Sequence, residues 1–392
     1  MPSILTINGG SSSIKFAVFS APTLQRTFSG RIERIGEEGA TFVATRPDGR
    51  PVSRRPLATL DHAHAADFLV ERLEADCGIR SPTAIGHRVV HGGIPVTDHQ
   101  RITPDLIAVL KRNQPLDLSH LPREIELIEI LGRKLPGVPQ VACFDTAFHR
   151  DLPRVAQLLP IPRSYLDAGL RRLGFHGLSY AYLLGELSRV AGDAVAQGRL
   201  ILAHLGSGAS LAAVHGGRPV DTTMSFTPTS GLVMGTRTGD LDPGLLLHLM
   251  RLEGLSPEAA DELITKRSGL RGISETTGDM NDLLARRVDD ARAREAVDVF
   301  CYQARKWIGA FAAALEGIDT LVFSGGIGER SAIVRREICE GLEFLNLRID
   351  PELNDRHAAV ISASASAVSV RVIPTDEEIM IARTVQAILE AE

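Results

Sequence analysis

The sequence predicts an α/β fold built as two related domains, and three observations predict it. Apolar strands alternate with helical patterns along the chain, and a strand, glycine loop and return strand occur twice. The 392 residues also exceed the size at which one hydrophobic core usually keeps growing, so a cleft between two domains becomes available to a ligand.

The first unit of the repeat runs from an apolar stretch, Ile4 to Ile7, through Asn8-Gly9-Gly10-Ser11-Ser12-Ser13, into a strand where Ile14, Phe16 and Val18 alternate with Lys15 and Ala17. The second runs from Leu200 to Leu205, through Gly206-Ser207-Gly208, into Ala209 to Val214. Gly9 and Gly206 stand 197 positions apart, about half the chain and far beyond a solenoid period. Helical patterns fall at Ala65 to Ala75, Pro104 to Arg112 and Arg123 to Leu131, with strands at Ala84 to Val89 and Gln140 to Phe144. The second half repeats the alternation, with helices at Tyr180 to Ala191, Pro243 to Leu252, Pro257 to Lys266 and Arg292 to Leu315, and a strand at Thr320 to Ser324. Pro153, Pro160 and Pro162 place the domain junction between residues 146 and 165. The expected division is 1–148 with 378–392 as one domain and 149–377 as the other.

Composition narrows the function. Hydrophobic residues at 44% and charged residues at 23% match soluble globular proteins, and no run approaches membrane-spanning length. A formal net charge of -5 gives no global attraction to nucleic acid or to anionic membrane, so a bound anion must be held by local groups. Cys77, Cys143, Cys301 and Cys339 lie far apart, without zinc-site or thioredoxin-like spacing. With no export signal, these features predict a cytoplasmic protein that handles a small molecule.

Three glycine-rich loops follow apolar strands: Asn8 to Ser13, Gly206 to Gly208, and Gly325-Gly326-Ile327-Gly328, the last opening a helix from Ser331 to Cys339. Such loops present backbone N–H groups to phosphate oxygens, although each alone also reads as a tight turn. There is no Walker A lysine, so a phosphate site must draw charge from elsewhere. Arg88 and Arg237, each set among glycines and small residues, have the planar fork that suits phosphate or carboxylate, or equally a structural ion pair. Asp145 ends an apolar strand, where side chains commonly face a ligand crevice. His120, His176 and His204 read as structural or functional histidines alike.

Eight ordered segments together carry a resemblance. They are INGGSSSIK from Ile7, GHRVVHGG from Gly86, FDTAFH from Phe144, RRLGFHG from Arg171, HLGSGAS from His204, MGTRTGDLDPG from Met234, FSGGIGER from Phe323 and IPTDEE from Ile373. The chain resembles the acetate kinases, within the superfamily of sugar kinases, actin and heat-shock ATPases. This implies two duplicated actin-like, ribonuclease H-like domains with the active site in the cleft, a homodimer, and direct in-line transfer between ATP and acetate. By the same resemblance, Arg88, Arg237, His176 and Asp145 are catalytic. Asn8 and Glu377 hold the metal, Mg2+ or Mn2+. Lys15, His204, Gly206, Ser207, Gly208, Asp279, Gly325, Gly326, Ile327 and Gly328 bind ATP or ADP. Arg88, Val90, His120, Phe175 and Pro228 receive the short carboxylate.

Physical chemistry agrees with such roles. A carboxylate substrate, with a reference pKa of about 4, is already ionised near neutrality, which leaves Asp145 to orient rather than to act as a strong base. Repulsion between acetate and triphosphate amounts to roughly 4 kcal/mol per unit-charge pair at 4 Å and an effective dielectric of 20, a demand that two arginines and magnesium answer. The chain departs from the family pattern at Ser119 (for leucine), Ser207 (asparagine), Asn281 (arginine), Arg330 (asparagine) and Asp376 (asparagine). Ser119 makes its wall of the acyl pocket smaller and more polar, which predicts a larger pocket, and a second acid at Asp376 reads either as an aid to the metal or as a solvated surface carboxylate. Rival readings are a propionate or butyrate kinase, a pyrophosphate-dependent kinase, and a non-catalytic nucleotide-binding regulator.

Overall fold

The computed structural model describes residues 2–10, 12–117 and 120–391, the Cys77 side chain apart. Ser11 of the first glycine loop and Ser119 of the acyl wall lie outside the described residues. The chain divides into two compact units, Met1–Arg150 with Asp376–Glu392, and Asp151–Thr375, so Glu377 belongs to the first.

The sheet of the first unit contains β1 (Ser3–Gly9), β2 (Ser13–Ser20), β3 (Arg26–Glu33), β4 (Thr41–Thr45), β5 (Pro51–Pro56), β6 (Ala84–Val89), β7 (Gln100–Arg101) and β8 (Gln140–Phe144), in the order β5-β4-β3-β2-β1-β6-β8-β7. The sheet of the second contains β9 (Arg199–Leu205), β10 (Ala209–His215), β11 (Arg218–Thr222), β12 (Thr320–Ser324) and β13 (Ser369–Val372), in the order β11-β10-β9-β12-β13. Five strands correspond one to one. In each unit an antiparallel meander of three (β3-β2-β1 or β11-β10-β9) is continued by two parallel strands (β6-β8 or β12-β13). The duplication legible in two glycine hairpins is therefore a duplication of topology.

The sequence reading did not name β3, β4, β5, β7, β11 or β13. Most of β3 is half-buried, and β5 is an exposed edge strand bounded by Pro51 and Pro56, so neither carries a clean apolar alternation. The helices that position the site are α1 (His62–Cys77), α2 (Leu121–Lys134), α3 (Gly177–Ala191), α4 (Ala291–Ala314), α5 (Gly325–Arg330) and α6 (Glu377–Glu390). In α2, residues 121, 125, 128 and 131 form a buried apolar stripe, the 3.6-residue periodicity expected of a helix laid on a sheet. Leu127, Ile130 and Leu131 of α2 join Leu69 and Leu73 of α1 in the core beneath Leu5, Ile7 and Ile85. The returning helix α6 lies so close to β6 that a Cβ on Gly86 would fall 2.4 Å from Ile381 Cγ2 and 2.6 Å from Val385 Cγ2. Only glycine permits that approach.

One element differs from expectation. Gly325-Gly326-Ile327-Gly328 is not an open loop before a helix at Ser331; it is the body of α5, and a second helix follows at Ala332–Cys339. Gly325 turns the chain at φ 74°, and the Glu329 carboxylate folds back to accept from Gly325 N–H at 3.0 Å and Thr375 N–H at 3.2 Å. Those bonds supply partners that a glycine-rich helix start would otherwise lack.

Candidate active site

In the first unit, strand register assembles the candidate residues. Ile7 pairs with His87 across β1 and β6, and Val89 pairs with Phe144 across β6 and β8. Asn8, Arg88 and Asp145 therefore meet at the carboxyl ends of three parallel strands, where open α/β sheets place ligands. Arg88 Nε lies 3.2 and 3.1 Å from the two Asp145 oxygens, and Nη2 donates to Oδ2 at 2.5 Å. Its Nη1 donates to Asn8 Oδ1 at 3.2 Å, while Asn8 Nδ2 donates to Glu377 Oε2 at 3.0 Å. The amide of Asn8 is thereby oriented, with its oxygen toward the arginine. Glu377 opens α6, where the helix N-terminus favours a carboxylate.

The electrostatics follow from burial and pairing. Asp145 is fully buried, and burial pushes its carboxyl above the ordinary value against the pull of Arg88. Burial works against the Arg88 charge too, but Asp145 and Glu377 more than offset it and raise the guanidinium above its ordinary range. Of the two alternatives left open for Arg88, the structural ion pair is present, and its fork stands at the strand ends. Lys15 is exposed on β2, directly across from Asn8. His120 turns its Nδ1 to Asp117 Oδ2 at 3.1 Å.

Glu124 was not anticipated. It is buried on α2, accepts from Val90 N–H at 2.9 Å through Oε2, and has no hydrogen-bond partner at Oε1 among the described residues. Burial pushes this carboxyl up to about 8, against the pull of Arg88. The signal in the sequence was an acid on the apolar stripe of an amphipathic helix, where nothing charged belongs without a task.

In the second unit, His176 precedes α3 in a left-handed conformation, φ 59° and ψ 24°, and its ring lies 4.4 Å from that of His204. His204 Nδ1 is 2.8 Å from Ser179 Oγ, which also meets Thr375 Oγ1 at 2.8 Å. A Cβ built on Gly208 would stand 3.5 Å from His176 Nε2 and 3.6 Å from Arg237 Nη2, so imidazole and guanidinium converge on the glycine loop. Arg237 is steadied by donating from Nη1 to the Pro228 carbonyl at 2.8 Å. Phe175 is buried beside His176 in the chain.

Parallel pairing of β9 with β12 sets Ser324 opposite His204, bringing the Gly206 and Gly325 segments to the same sheet edge. A Cβ on Gly206 would be 4.0 Å from Gly326 N. Gly235 donates to Ser207 O at 2.9 Å and packs on Gly278, which carries Asp279 to the same neighbourhood. Asp279 itself caps the helix Met280–Arg286, accepting from the N–H of Asn281 and Asp282, and that use of the carboxylate was not foreseen. Nor are all glycine N–H groups open to phosphate: Gly10, Gly206 and Gly325 each donate within the protein, to Ser13 O, Gly208 O and Glu329 Oε1. The fully buried Arg335 holds Gly328-Glu329 from behind, donating to the carbonyls of Gly328 and Glu329 at 2.8 and 2.9 Å.

Asp376 needs correction. It is not a solvated surface acid: it caps α6 by accepting from Ile379 N–H at 3.1 Å and pairs with Arg26 at 2.5 Å. Among the described residues, no three His, Cys, Asp or Glu side chains are grouped to hold a metal ion. Magnesium does not require such a group. It is commonly bound by one or two protein carboxylates with phosphate and water, and the Glu377 carboxylate fits that pattern, with Asn8 beside it donating from Nδ2 to Oε2 and accepting from Arg88 at Oδ1.

The acetokinase family model matches residues 3–383. The acetate kinase of Rhodopseudomonas palustris is 43% identical over 390 residues, covering 97% of each chain, and that of Bacillus cytotoxicus is 40% identical over 98% of each. Among solved structures, the acetate kinase of Porphyromonas gingivalis superimposes with a TM-score of 0.87 at 36% identity, covering 99% of this chain and 100% of that one. A propionate kinase from Francisella tularensis superimposes with a TM-score of 0.91 at 33% identity, covering 98% and 99%. The duplicated topology is accordingly the actin-like ATPase fold of these kinases.

Proposed function

The chain belongs to the acetokinase family, and we propose that it transfers a phosphoryl group reversibly between ATP and acetate, forming ADP and acetyl phosphate. The observation that carries this reading is the Arg88 cluster, where a guanidinium buttressed by Asp145 and Asn8 stands beside Glu377 at three strand ends. A carboxylate oxygen attacks the γ-phosphorus, the bond from that phosphorus to the bridging oxygen breaks, and ADP leaves with the electron pair. No proton has to move, because acetate is ionised already.

The residues then divide by task. Arg88 binds the substrate carboxylate, with Val90, His120, Phe175 and Pro228 around the acyl group. Asp145 keeps the Arg88 fork in one orientation. Arg237 and His176 donate to the equatorial oxygens on which charge rests during transfer, a case where positioning and electrostatics supply most of the catalysis. Lys15, the Gly206 segment, Asp279 and α5 take the nucleotide. Asn8 and Glu377 would hold magnesium, which when bound neutralises phosphate charge.

A second reading, preference for propionate, is favoured by Ser119 in place of leucine and by the likeness to the Francisella propionate kinase. Hydroxylamine trapping with acetate, propionate and butyrate, each with ATP and with pyrophosphate, tests both. We expect hydroxamate from ATP with acetate and no phosphorylated protein during turnover. Higher kcat/KM with propionate transfers the assignment to the second reading, and no hydroxamate from any pairing removes both. We also propose a homodimer, for which exposed Val155, Tyr165, Leu247 and Leu252 offer apolar surface, and a cytoplasmic location, which the free thiols of Cys143, Cys301 and Cys339 fit. No helix among the described residues is long and apolar enough to cross a membrane.

A further inference from the structure

Behind Gly208 runs a line of buried polar groups that the roles above leave unused. Ser210, fully buried on β10, has its Oγ 2.8 Å from His176 Nδ1 and 2.5 Å from the hydroxyl of Tyr180, which is fully buried on α3. His176 Nε2 faces the other way, toward the space above Gly208 that it shares with Arg237 Nη2.

We infer that Tyr180 and Ser210 are positioning residues that hold His176 as its neutral Nε2–H tautomer, so that the imidazole meets the transferring phosphoryl group as a hydrogen-bond donor and not as a base. The serine hydroxyl has one proton and can donate to only one of its two neighbours; accepting from both through its two lone pairs would deny that buried proton either of them as an acceptor, a costly arrangement. The line therefore runs from Tyr180 through Ser210 to Nδ1, or in reverse. In the forward direction the most acidic hydroxyl, the phenol, stands at the donating end and the most basic atom, the imidazole nitrogen, at the accepting end. Each bond then polarises the next in the favourable sense. The reverse direction asks a weakly basic phenol oxygen to accept from an aliphatic hydroxyl. Burial also pushes the Tyr180 phenol upward, which keeps its proton in place.

Two further features agree. The rings of His176 and His204 lie 4.4 Å apart, too close for both to carry charge without repulsion. A lone pair on Nε2 would confront the phosphoryl oxygens that Arg237 is placed to receive, whereas an N–H there adds a second donor on the same side.

The inference rests on the phosphoryl-transfer reading, and the experiment keeps the two apart. In the full chain labelled with 15N-histidine, the His176 signals, assigned by their loss in His176→Asn, are expected to show an unprotonated Nδ1 and a protonated Nε2 at neutral pH. Ser210→Ala should abolish that preference and lower kcat about a hundredfold, the scale of losing one preorganised donor, with both KM values unchanged within about twofold. Tyr180→Phe, which keeps the ring, should lower kcat about tenfold, and Ser210→Thr, which keeps the hydroxyl, should behave as the parent. Because the parent spectrum alone reports the tautomer, the test survives a variant that does not fold. A proton on Nδ1 in the parent, or an unaltered tautomer in both Ser210→Ala and Tyr180→Phe, overturns the inference. An Nε2–H tautomer in a protein that forms no acyl phosphate leaves the Tyr180–Ser210 line standing and removes the function it was meant to serve.

Discussion

At the scale of single residues, the site is governed by what burial does to charge. Arg88 makes a fork that lysine cannot reproduce, since an ammonium is a point charge without planar, bidentate geometry. Arg88→Lys should therefore leave the fold intact and lower kcat/KM for the carboxylate about a hundredfold, as steady-state kinetics would show. Arg88→Ala is the poorer experiment, because it strands the buried Asp145 and costs about 3–5 kcal/mol of stability. Glu124 leads to a pH prediction. Its carboxyl is raised from an ordinary 4.5 to about 8, so between those values the folded protein holds a proton that the unfolded chain has released. Stability from this group is complete below pH 4.5 and is lost as pH rises through 8. Glu124→Gln keeps an acceptor for Val90 N–H and removes the titration. Its melting temperature should exceed the parent's by more at pH 8.5 than at pH 6, and an equal difference at both would contradict the assignment.

At the scale of elements, α6 carries the clearest consequence. Asp376 supports it twice, as the N-cap and through Arg26, with both side chains about 70% buried. Asp376→Ala should cost about 1–2 kcal/mol in chemical denaturation. Asn is an equally good cap, so Asp376→Asn should lose only the ion-pair part, less than half of that. Neither variant should alter the magnesium concentration needed for half-maximal activity; a raised requirement would return Asp376 to the metal. The same helix shows why spacing alone misleads. Two adjacent acids, Asp376 and Glu377, occupy the cap and the first helical position, and those positions point the two carboxylates at different partners, Arg26 and Asn8.

For the whole molecule, pH acts from the acid side as well. His87 is buried and His99 half-buried in the first unit, and desolvation lowers both to about 4. His99 Nδ1 accepts from Phe144 N–H at 2.9 Å, a bond that protonation would forbid. Below the ordinary histidine value the unfolded chain takes up protons that these two sites refuse, so stability is full above pH 6.5 and declines as pH falls toward 4. Thermal melts across this interval should descend with falling pH, and His87→Gln should flatten the descent. Acid and alkaline losses then bracket a stability maximum between those limits.

Much of this was legible beforehand, for identifiable reasons. Alternating apolar strands, caps and glycine turns are local properties, so the sequence by itself determined both hairpins, the principal helices, the duplication and the family. It also named Asn8, Arg88, Asp145, His176 and Arg237, because eight motifs bracket them. Tertiary structure alone decided what those side chains touch. The Arg88 fork on Asp145 is created by the register of three parallel strands that are remote in sequence. Ser210, Tyr180 and Arg335 escaped notice for the same reason, whereas Glu124 was marked only by its place on an apolar helix face. A buried polar group is recognised by its partners, and partners are set by packing between elements, which no local pattern of residues records.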